Sequence, residues 1–455
     1  MQELLHKVIS GLATKEAART SLLSSRWRKR WTYHSDLCFD GTSSELSGYS
    51  TDRFVDHVTT VLQQHSRMAV VDRFELRSPL LGREHTHHLD HWLGFVAATK
   101  VRHVTLDLSP PLPSSSSNKH HAVDPNWYRL PAVVNQHQLF GTGCIVSLLL
   151  GYVCLELPNG LGFKKLKKLE LTYVDNLGDL ITPFIANCPA LECLSISNTC
   201  IRHLVVPQEA RCLRYLRLEH AGLQSIHLNA TNLTTFEYRG CPSVPIKTND
   251  ALRLSQASIR PYWGIDTVGY FWDELSCWLA PVHRLVLAIS MNIKTRRFIN
   301  NPTKFIHLRH LTLFCKILGD PESALGVLRL TQILESSPHL EHFVLHMDCI
   351  DSKPLNMKTP NDDCIHPHVH HYLKTVQITG LIGLRGQLEL AKYILLSAEA
   401  LGCMTINLAM NRIKQFSKSD YTYFTRLEKI AKQYLDPQGV YHSVLKVAGL
   451  SLTCH

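Results

Sequence analysis

Apolar and polar positions alternate along this chain in a recurring phrase of six residues: apolar, two variable residues, apolar, one variable residue, apolar. Clear copies begin at Leu166, Leu213 and Leu308. The last two apolar positions are two residues apart, which is the spacing of side chains on one face of a β-strand. Each copy therefore predicts a short strand whose alternate side chains face a core.

Thirteen copies of the phrase occur, most of them at a period of roughly 20–30 residues. They begin at Val71, Val101, Ile145, Leu166, Leu191, Leu213, Leu233, Leu254, Val282, Leu308, Leu340, Leu373 and Leu401. A strand recurring at this period is typical of a leucine-rich-repeat solenoid, in which each repeat packs on its neighbours. We predict an α/β leucine-rich-repeat solenoid. The alternative is an ordinary α/β domain with strands and helices in turn.

The longer spacings between copies contain loop and helix signals. Between Val101 and Ile145, three prolines and the serines 114–117 indicate a degenerate or looped-out copy. Asp320 followed by Pro321 begins a predicted helix. Apolar positions at helical spacing predict three helices, the last of which we expect to cap the stack. The three stripes are Leu325, Leu328, Ile333 and Leu334; Leu388, Ala391, Ile394, Leu395 and Ala398; and Phe424, Leu427, Ile430, Ala431, Tyr434 and Leu435.

The variable residue between the last two apolar positions of each phrase points away from the core. If the strands line one face, these residues contact a partner. The alternative is that they form only the solvated side of a sheet. The substrate-binding candidates chosen on this basis are Glu170, Ser195, Arg217, Glu237, Thr312 and Gln377.

Composition narrows the class of protein. The 455 residues are 45% apolar, enough for a large core, and the 14 cysteines include no Cys-x-x-Cys pair. We therefore expect an intracellular protein with reduced thiols, in the nucleus or the cytoplasm, and neither a zinc ribbon nor a redox motif. The longest uncharged apolar stretch, 144–155, is too short to span a bilayer and predicts a buried strand.

With a net charge of +10, nucleic acid is a candidate binding partner. The lysines and arginines are dispersed apart from the runs 26–30 and 164–168, and no nucleic-acid-binding motif is present. We expect neither nucleic acid nor a membrane as a partner.

Two histidine clusters are candidates for a metal site: His85, His87, His88 and His91, and His366, His368, His370 and His371. A metal-dependent enzyme using them is one hypothesis. Neither cluster has a cysteine partner or a known ligand motif, so we interpret them as surface or repeat-edge histidines. No nucleophile elbow, P-loop or His-Glu-x-x-His motif occurs. The sequence therefore predicts no catalytic residue, no metal and no cofactor.

The N-terminal block, residues 3–31, has the apolar spacing of three short helices. Its first helix carries Leu4, Leu5, Val8, Ile9 and Leu12 on one face. Thr14 is a cap for the second helix, and Trp27 and Trp31 are four residues apart on the third. So few apolar side chains need a partner or the adjoining repeats for stability.

Residues 4–28 read Leu-Leu-x-x-Val-Ile-Ser-x-Leu-x-Thr-Lys-Glu-Ala-Ala-Arg-Thr-Ser-Leu-Leu-Ser-x-Arg-Trp-Arg, which resembles the F-box of plant F-box proteins. The segment from Leu373 through Ile406 resembles the FBD region that ends many such chains. The resemblance implies three regions: an N-terminally clipped F-box at 1–40, irregular repeats at 65–410 with an FBD-like part at 340–410, and a helical cap at 411–455.

The resemblance also implies a function. Members of this family are non-catalytic substrate-recognition subunits of Skp–cullin–F-box ubiquitin ligases. The F-box binds a Skp-type adaptor, which links it to a cullin, and the repeats bind a target protein, here unknown. The implied adaptor-binding residues are Leu4, Leu5, Val8, Ile9, Leu12, Lys15, Arg19, Leu22, Leu23, Trp27 and Trp31.

This chain departs from the family pattern at two positions of the F-box. Family members usually open the first helix with Leu-Pro, where this chain has Met1, and Ala13 stands where a proline is usual. The alternative function is therefore a leucine-rich-repeat interaction scaffold with a degenerate F-box and no ligase role.

Overall fold

The structure, a computed structural model, describes most of the chain from Arg30 to Ala448. It forms two compact units, one of residues 1–233 and 247–252 and the other of residues 234–246 and 253–455. The described residues are 16, 19, 30–42, 51–65, 70–110, 127–130, 143–155, 162–242, 244–249, 252–262, 267–292, 305–318, 327–349, 368–408 and 418–448.

The first unit is built on a parallel sheet with one strand per repeat. Its strands in chain order are β1 (Asp36–Asp40), β2 (Arg73–Arg77), β3 (His103–Asp107), β4 (Tyr128–Leu130), β5 (Ser147–Leu155), β6 (Lys168–Asp175), β7 (Cys193–Ser197), β8 (His203–Val206), β9 (Tyr215–Glu219) and β10 (Ser225–Leu228). The sheet order is β1-β2-β3-β5-β6-β7-β9, with β4 paired to β5, while β8 and β10 pair separately. Three helices accompany them: α1 (Thr51–Gln64), α2 (Thr86–Thr99) and α3 (Ile181–Ala186).

The second unit repeats this plan. The strands from residue 235 onward, in chain order, are β11 (Thr235–Arg239), the short β12 (Ile246–Thr248), β13 (Gln256–Ile259), β14 (Arg284–Asn292), β15 (His310–Leu318), β16 (His342–Cys349), β17 (Thr375–Thr379), β18 (Cys403–Asn407) and β19 (Leu445–Ala448). The sheet order is β11-β13-β14-β15-β16-β17-β18-β19, all parallel. The helices are α4 (Val268–Tyr270), α5 (Ser276–Leu279), α6 (Thr331–Glu335), α7 (Arg385–Ser397) and α8 (Lys418–Leu435), and a π-helix, Phe271–Leu275, joins α4 to α5.

The thirteen phrases coincide with thirteen strands. Each strand begins two residues after the first apolar residue of its phrase, as β6 does after Leu166 and β15 after Leu308. The apolar positions of all phrases are buried except Leu401, which is partly exposed. Each fully buried aliphatic side chain contributes about 1.5–3 kcal/mol to folding. The predicted α/β leucine-rich-repeat fold is confirmed.

Among the described strands that no phrase predicts, β1 and β19 have a histidine at their leading apolar position. By register, His34 precedes β1 and His442 precedes β19 as the first residue of a phrase does. His34 is buried, and its carbonyl oxygen lies 2.9 Å from Nε2 of His65, with which it forms a hydrogen bond. The repeat sheet consequently extends beyond both predicted limits, 65 and 410.

The long spacing after Val101 does not contain a full repeat in the stack. Strand β3 pairs directly with β5, and most of the chain between these two strands lies outside the described residues. Within that chain, β4 pairs with the second half of β5 through Tyr128 and Val153. The stretch 144–155 contains the buried strand predicted for it.

The three apolar stripes that predicted helices agree with the structure to different extents. The stripe beginning at Leu388 lies buried on α7 and just after it, as predicted. Ile333 and Leu334 are buried on α6, whereas residues 320–325 lie outside the described part of the chain. The last stripe lies on α8, but β19 follows this helix and pairs with β18. The predicted purely helical end of the chain is therefore corrected: α8 leads into one more strand of the sheet.

A buried glutamine fixes the turn between β17 and α7. Oε1 of Gln387 accepts hydrogen bonds from the backbone N–H of Ile382 (2.9 Å) and Leu384 (3.3 Å), and its Nε2 donates to the carbonyl of Gly380 (3.1 Å). Gln387 is fully buried, so each of these bonds satisfies a group that has no access to water. The turn requires glycine at position 380, where φ is +78° and an added Cβ would lie 1.9 Å from the carbonyl oxygen of Met347.

We expect Gly380→Ala to destabilise the protein more than Gly439→Ala. Both glycines have φ near +70° to +80°, which costs an alanine about 1–2 kcal/mol. Only Gly380 is also crowded by backbone, whereas nothing lies within 4 Å of a Cβ at Gly439. Urea unfolding of both variants should therefore show a loss of about 3 kcal/mol or more for the first and about 1–2 kcal/mol for the second. Equal losses would contradict this account of the turn.

Candidate functional site

The predicted adaptor-binding residues fall almost wholly outside the described residues. Arg19, which is described, lies in helical backbone and is exposed. Trp31 is 8% exposed and lies in a 3-10 helix, Arg30–Tyr33. This burial leaves little of the Trp31 side chain accessible, and its adaptor contact stays a prediction. Outside the described part lie Leu4, Leu5, Val8, Ile9, Leu12, Lys15, Leu22, Leu23 and Trp27.

The predicted substrate-binding residues lie in continuous rows across the strands of each unit. In the first unit Glu170, Ser195 and Arg217 are direct register partners on β6, β7 and β9. In the second unit one row contains, in order, Glu237, Ser258, Val286, Thr312, Val344, Gln377 and Thr405. These side chains are partly or fully exposed, in contrast to the buried residues on either side of them in each strand. The rows follow from the fixed position of each residue in its phrase.

Ion pairs neutralise much of the outward face of the first unit. Arg77 lies 2.6 Å from Glu75 and 3.4 Å from Asp107. The predicted residues Glu170 and Arg217 are paired in the same way, each with a residue two positions away on its own strand. Since these charges already have partners, a ligand must displace an ion pair to use them.

The outward face of the second unit instead carries stacked rings. His310 of β15 and His342 of β16 are register partners, and their ring centroids are 4.6 Å apart at an interplanar angle of 11°. Four residues further along the same strands, Phe314 and His346 stack at 4.5 Å and 19°. These separations match the distance of about 4.8 Å between neighbouring strands. In-register pairing therefore sets the stacking.

Hydrogen bonds to the next strand orient both histidines of β16. Nδ1 of His342 and the hydroxyl of Thr375 are joined at 2.6 Å, and Nδ1 of His346 and the hydroxyl of Thr379 at 2.7 Å. Each row thus runs from a ring on β15 through a histidine on β16 to a threonine on β17. Nε2 of each histidine remains as the second polar atom of its ring.

Two guanidinium groups complete this surface. The guanidinium carbon of Arg260 lies 5.1 Å from the ring centroid of Phe314, close enough for a cation–π interaction. Arg260 reaches across β14, where the register partner of Phe314 is the small residue Ala288. Arg284 is the register partner of His310. We call the set Arg260, Arg284, His310, Phe314, His342 and His346 the stacked-ring surface.

Partial burial and the neighbouring arginines lower the pKa of two histidines of this surface, His310 and His346. Burial, followed by the charge of Arg260, lowers the pKa of His346. Burial, His342 and Arg284 lower the pKa of His310, against a weaker opposing effect of Glu341. Both rings are therefore neutral at pH 7 and gain a proton when an anion approaches.

The sequence contained a signal for the stacked-ring surface that phrase counting overlooked. His310 and Phe314 stand 32 residues before His342 and His346, and the phrases of β15 and β16 begin at the same separation. An equal separation places each pair side by side in a parallel sheet.

The described residues of the two histidine clusters do not form a metal site. In the parts of the chain that the structure describes, no group of three or more His, Cys, Asp or Glu side chains could hold a metal ion. His87 and His91 are exposed on α2. His370 is 4% exposed, so of the two predicted interpretations, surface or repeat-edge histidine, the first does not hold for it.

Two further properties bear on chemistry and location. The cysteines of the described residues, from Cys38 to Cys403, are free thiols. Within the described ranges, no helix combines the length and the apolar character needed to cross a membrane.

We expect Arg260→Gln to raise the pKa of His346, because the variant removes the positive charge that opposes protonation of this ring. Arg284→Gln is the matched control, since this guanidinium acts on His310 instead. The measurement is a pH titration of the histidine Cε1–H signals by NMR in full-length protein. The first variant should move His346 and the second should move His310. A shift of both rings in both variants would contradict the local geometry.

Burial, with a smaller effect from His368 and His371, lowers the pKa of His370 to about 4. An unfolded histidine titrates near 6.5, so the unfolded chain takes up this proton first as the pH falls. The contribution of His370 to stability is therefore complete above about pH 6.5. It is lost progressively between about pH 6.5 and pH 4, by roughly 1–3 kcal/mol.

His370→Leu should make the unfolding free energy less dependent on pH in this interval. His371→Leu removes an exposed histidine that pairs with Glu399, so the dependence should remain. Urea unfolding at several pH values between 4 and 7 measures the slopes. Parallel curves for wild type and the His370 variant would show that another group is responsible.

Comparison with known proteins agrees with this architecture. A family model described as "At1g61320/AtMIF1, LRR domain" matches residues 61–433. Two similar proteins of Arabidopsis thaliana are F-box/FBD/LRR-repeat protein At1g13570, 24% identical with 90% of each chain covered, and putative F-box/FBD/LRR-repeat protein At4g00315, 25% identical with 96% of each covered. FBD-associated F-box protein At4g10400 of the same organism is 25% identical, covering 96% of this chain and 95% of its own.

These relatives confirm the resemblance that the sequence showed to plant F-box proteins with leucine-rich repeats and an FBD region. The family match covers most of the repeat strands, from the end of α1 to α8. The chain belongs to the leucine-rich-repeat domain family described as At1g61320/AtMIF1, LRR domain.

Proposed function

We propose that this chain is the substrate-recognition subunit of a Skp–cullin–F-box ubiquitin ligase and acts inside a plant cell. Its N-terminal residues 1–40 bind a Skp-type adaptor, which links it to a cullin, and its repeats bind a target protein. The observation that carries this proposal is the match to proteins named as F-box/FBD/LRR-repeat proteins over 90% or more of the chain.

The N-terminal sequence supports the adaptor contact. Leu4, Leu5, Val8, Ile9 and Leu12 have the spacing of an amphipathic helix that inserts its apolar face in a groove. Lys15 and the exposed Arg19 add positive charge, which speeds association with an acidic partner.

The repeat sheets support target binding. Their outward rows present residues of mixed chemistry on a rigid backbone, the kind of surface with which solenoid proteins hold other proteins. The rows contain the predicted residues Glu170, Ser195, Arg217, Glu237, Thr312 and Gln377.

The cysteine chemistry supports a non-catalytic role in the ligase. A cysteine that carries ubiquitin needs a lowered pKa to react as a thiolate. Burial instead raises the pKa of Cys188 to about 11 and that of Cys349 to about 12, and burial also raises the pKa of Cys315. Thiols in this state are poor nucleophiles at pH 7.

We expect the full-length chain to capture a plant Skp-type adaptor, and Leu12→Asp to weaken capture. A charge in an apolar groove costs about 2–4 kcal/mol, or more than tenfold in affinity. Leu396→Asp is the control, because Leu396 is an apolar residue already 49% exposed on α7. Surface plasmon resonance with immobilised full-length protein measures the affinities. Equal binding by wild type and both variants would contradict an F-box contact.

A second form of the protein, with Leu-Pro placed before Met1, separates the proposal from its alternative. Capture by the sequence as it stands supports the ligase role. Capture only after addition of Leu-Pro favours a repeat scaffold whose F-box is degenerate, an alternative suggested by Ala13 in place of a proline. Absence of capture by both forms, at micromolar concentrations of both proteins, would rule out the ligase role.

A further inference from the structure

We propose that the stacked-ring surface binds an extended acidic segment of the target protein. This inference rests on the proposed function, because it assigns the target-binding role to one part of the repeats. The occupant is argued from the charge, the exposed ring atoms and the dimensions of strands β13 to β17.

The charge of these strands is complementary to an acidic ligand. Strands β13 to β17, all described, contain one carboxylate, that of Asp348, and its register partner is Lys316. Arg284 and Arg260 stand apart from that pair, and both are exposed. In the described part of the chain neither guanidinium has a carboxylate within ion-pair distance, whereas Arg73, Arg77 and Arg217 of the first unit do. Two unneutralised cations on one face attract anions.

The rings give this surface a second mode of contact. Phe314 is partly exposed and lies between the Arg260 guanidinium and the His346 ring. Guanidinium groups bind carboxylates in a bidentate geometry, and flat rings provide apolar area at little entropic cost. A carboxylate on Arg260 therefore brings the adjacent peptide backbone over the rings of Phe314 and His346.

The dimensions fit an extended segment. Four strand spacings of about 4.8 Å separate β13 from β17, giving a width of roughly 19 Å. An extended peptide covers this width with about six residues at about 3.3 Å each. A segment crossing the strands thus passes Arg260 or Arg284, the rings of β15 and β16, and Thr375 or Thr379 in turn.

Binding of an anion is coupled to proton uptake. The groups around His346 are Arg260, Phe314 and Thr379, and those around His310 are Arg284, His342 and Glu341. Glu341 is already paired with Lys374 at 2.6 Å and Arg309 at 3.7 Å. A bound carboxylate favours the protonated rings, so affinity rises as the pH falls from about 7.5 to 5.5.

The test uses the full-length chain and a rhodamine-labelled eight-residue peptide of alternating glutamate and serine, measured by fluorescence anisotropy at low salt. We expect saturable binding that strengthens severalfold from pH 7.5 to 5.5. The double variant Arg260→Gln/Arg284→Gln should raise Kd at least about tenfold. The control double variant Lys429→Gln/Lys432→Gln removes the same charge from α8, a helix outside strands β13 to β17, and should change Kd by less than about twofold.

Four results would overturn the proposal. These are no saturable binding up to about 1 mM peptide, equal loss in the two double variants, equal binding of a glutamine–serine peptide, and tighter binding of a single-stranded oligonucleotide of the same charge. The last result would assign the surface to nucleic acid.

Capture of the Skp-type adaptor by the same variants separates this proposal from the proposed function. The double variant Arg260→Gln/Arg284→Gln should retain adaptor capture while losing the peptide. A protein that binds the peptide and not the adaptor would disprove the ligase role and leave the acidic-segment surface in place.

Discussion

In-register parallel pairing of one strand per repeat is the constraint on which the rest of this structure depends. A single strand with a few apolar side chains cannot bury them alone, and only stacking against the next repeat removes them from water. Register fixes each leucine opposite the leucine of the neighbouring repeat, as with Leu169, Leu194 and Leu216. A slip of one residue would turn these side chains outward. The buried rows therefore specify the pairing that buries them.

The same pairing also determines which side chains are neighbours on the outward face, although these side chains are not buried. Residues at equal positions in successive repeats become neighbours at the strand spacing, whatever their chemistry. In the first unit this brings opposite charges together, as at Arg77 and Asp107. In the second unit it brings rings together, as at His310 and His342. One architecture thus produces a neutralised face in one unit and a ring-bearing cationic face in the other.

The candidate surfaces differ in how far the sequence predicts them. The outward rows containing Glu170 and Thr312 follow from the phrase. A strand residue between two buried neighbours points to the opposite face of the sheet. The stacked-ring surface does not follow from the phrase, because Arg260 reaches Phe314 across Ala288 only after three strands are side by side. The phrase does not predict β1 and β19, the two end strands, for another reason. His34 and His442 occupy leading positions where the other phrases have an aliphatic residue.

The sequence by itself determined the repeat, its period, the buried face of thirteen strands and the helix that follows β17, because periodic burial of apolar side chains is written locally. It also carried the resemblance to F-box proteins with leucine-rich repeats. Only the tertiary structure decided which outward side chains meet, which charges are neutralised and that His370 is buried. Apart from the ion pairs within a single strand, these features depend on contacts between residues of different repeats, which form only once the repeats have stacked.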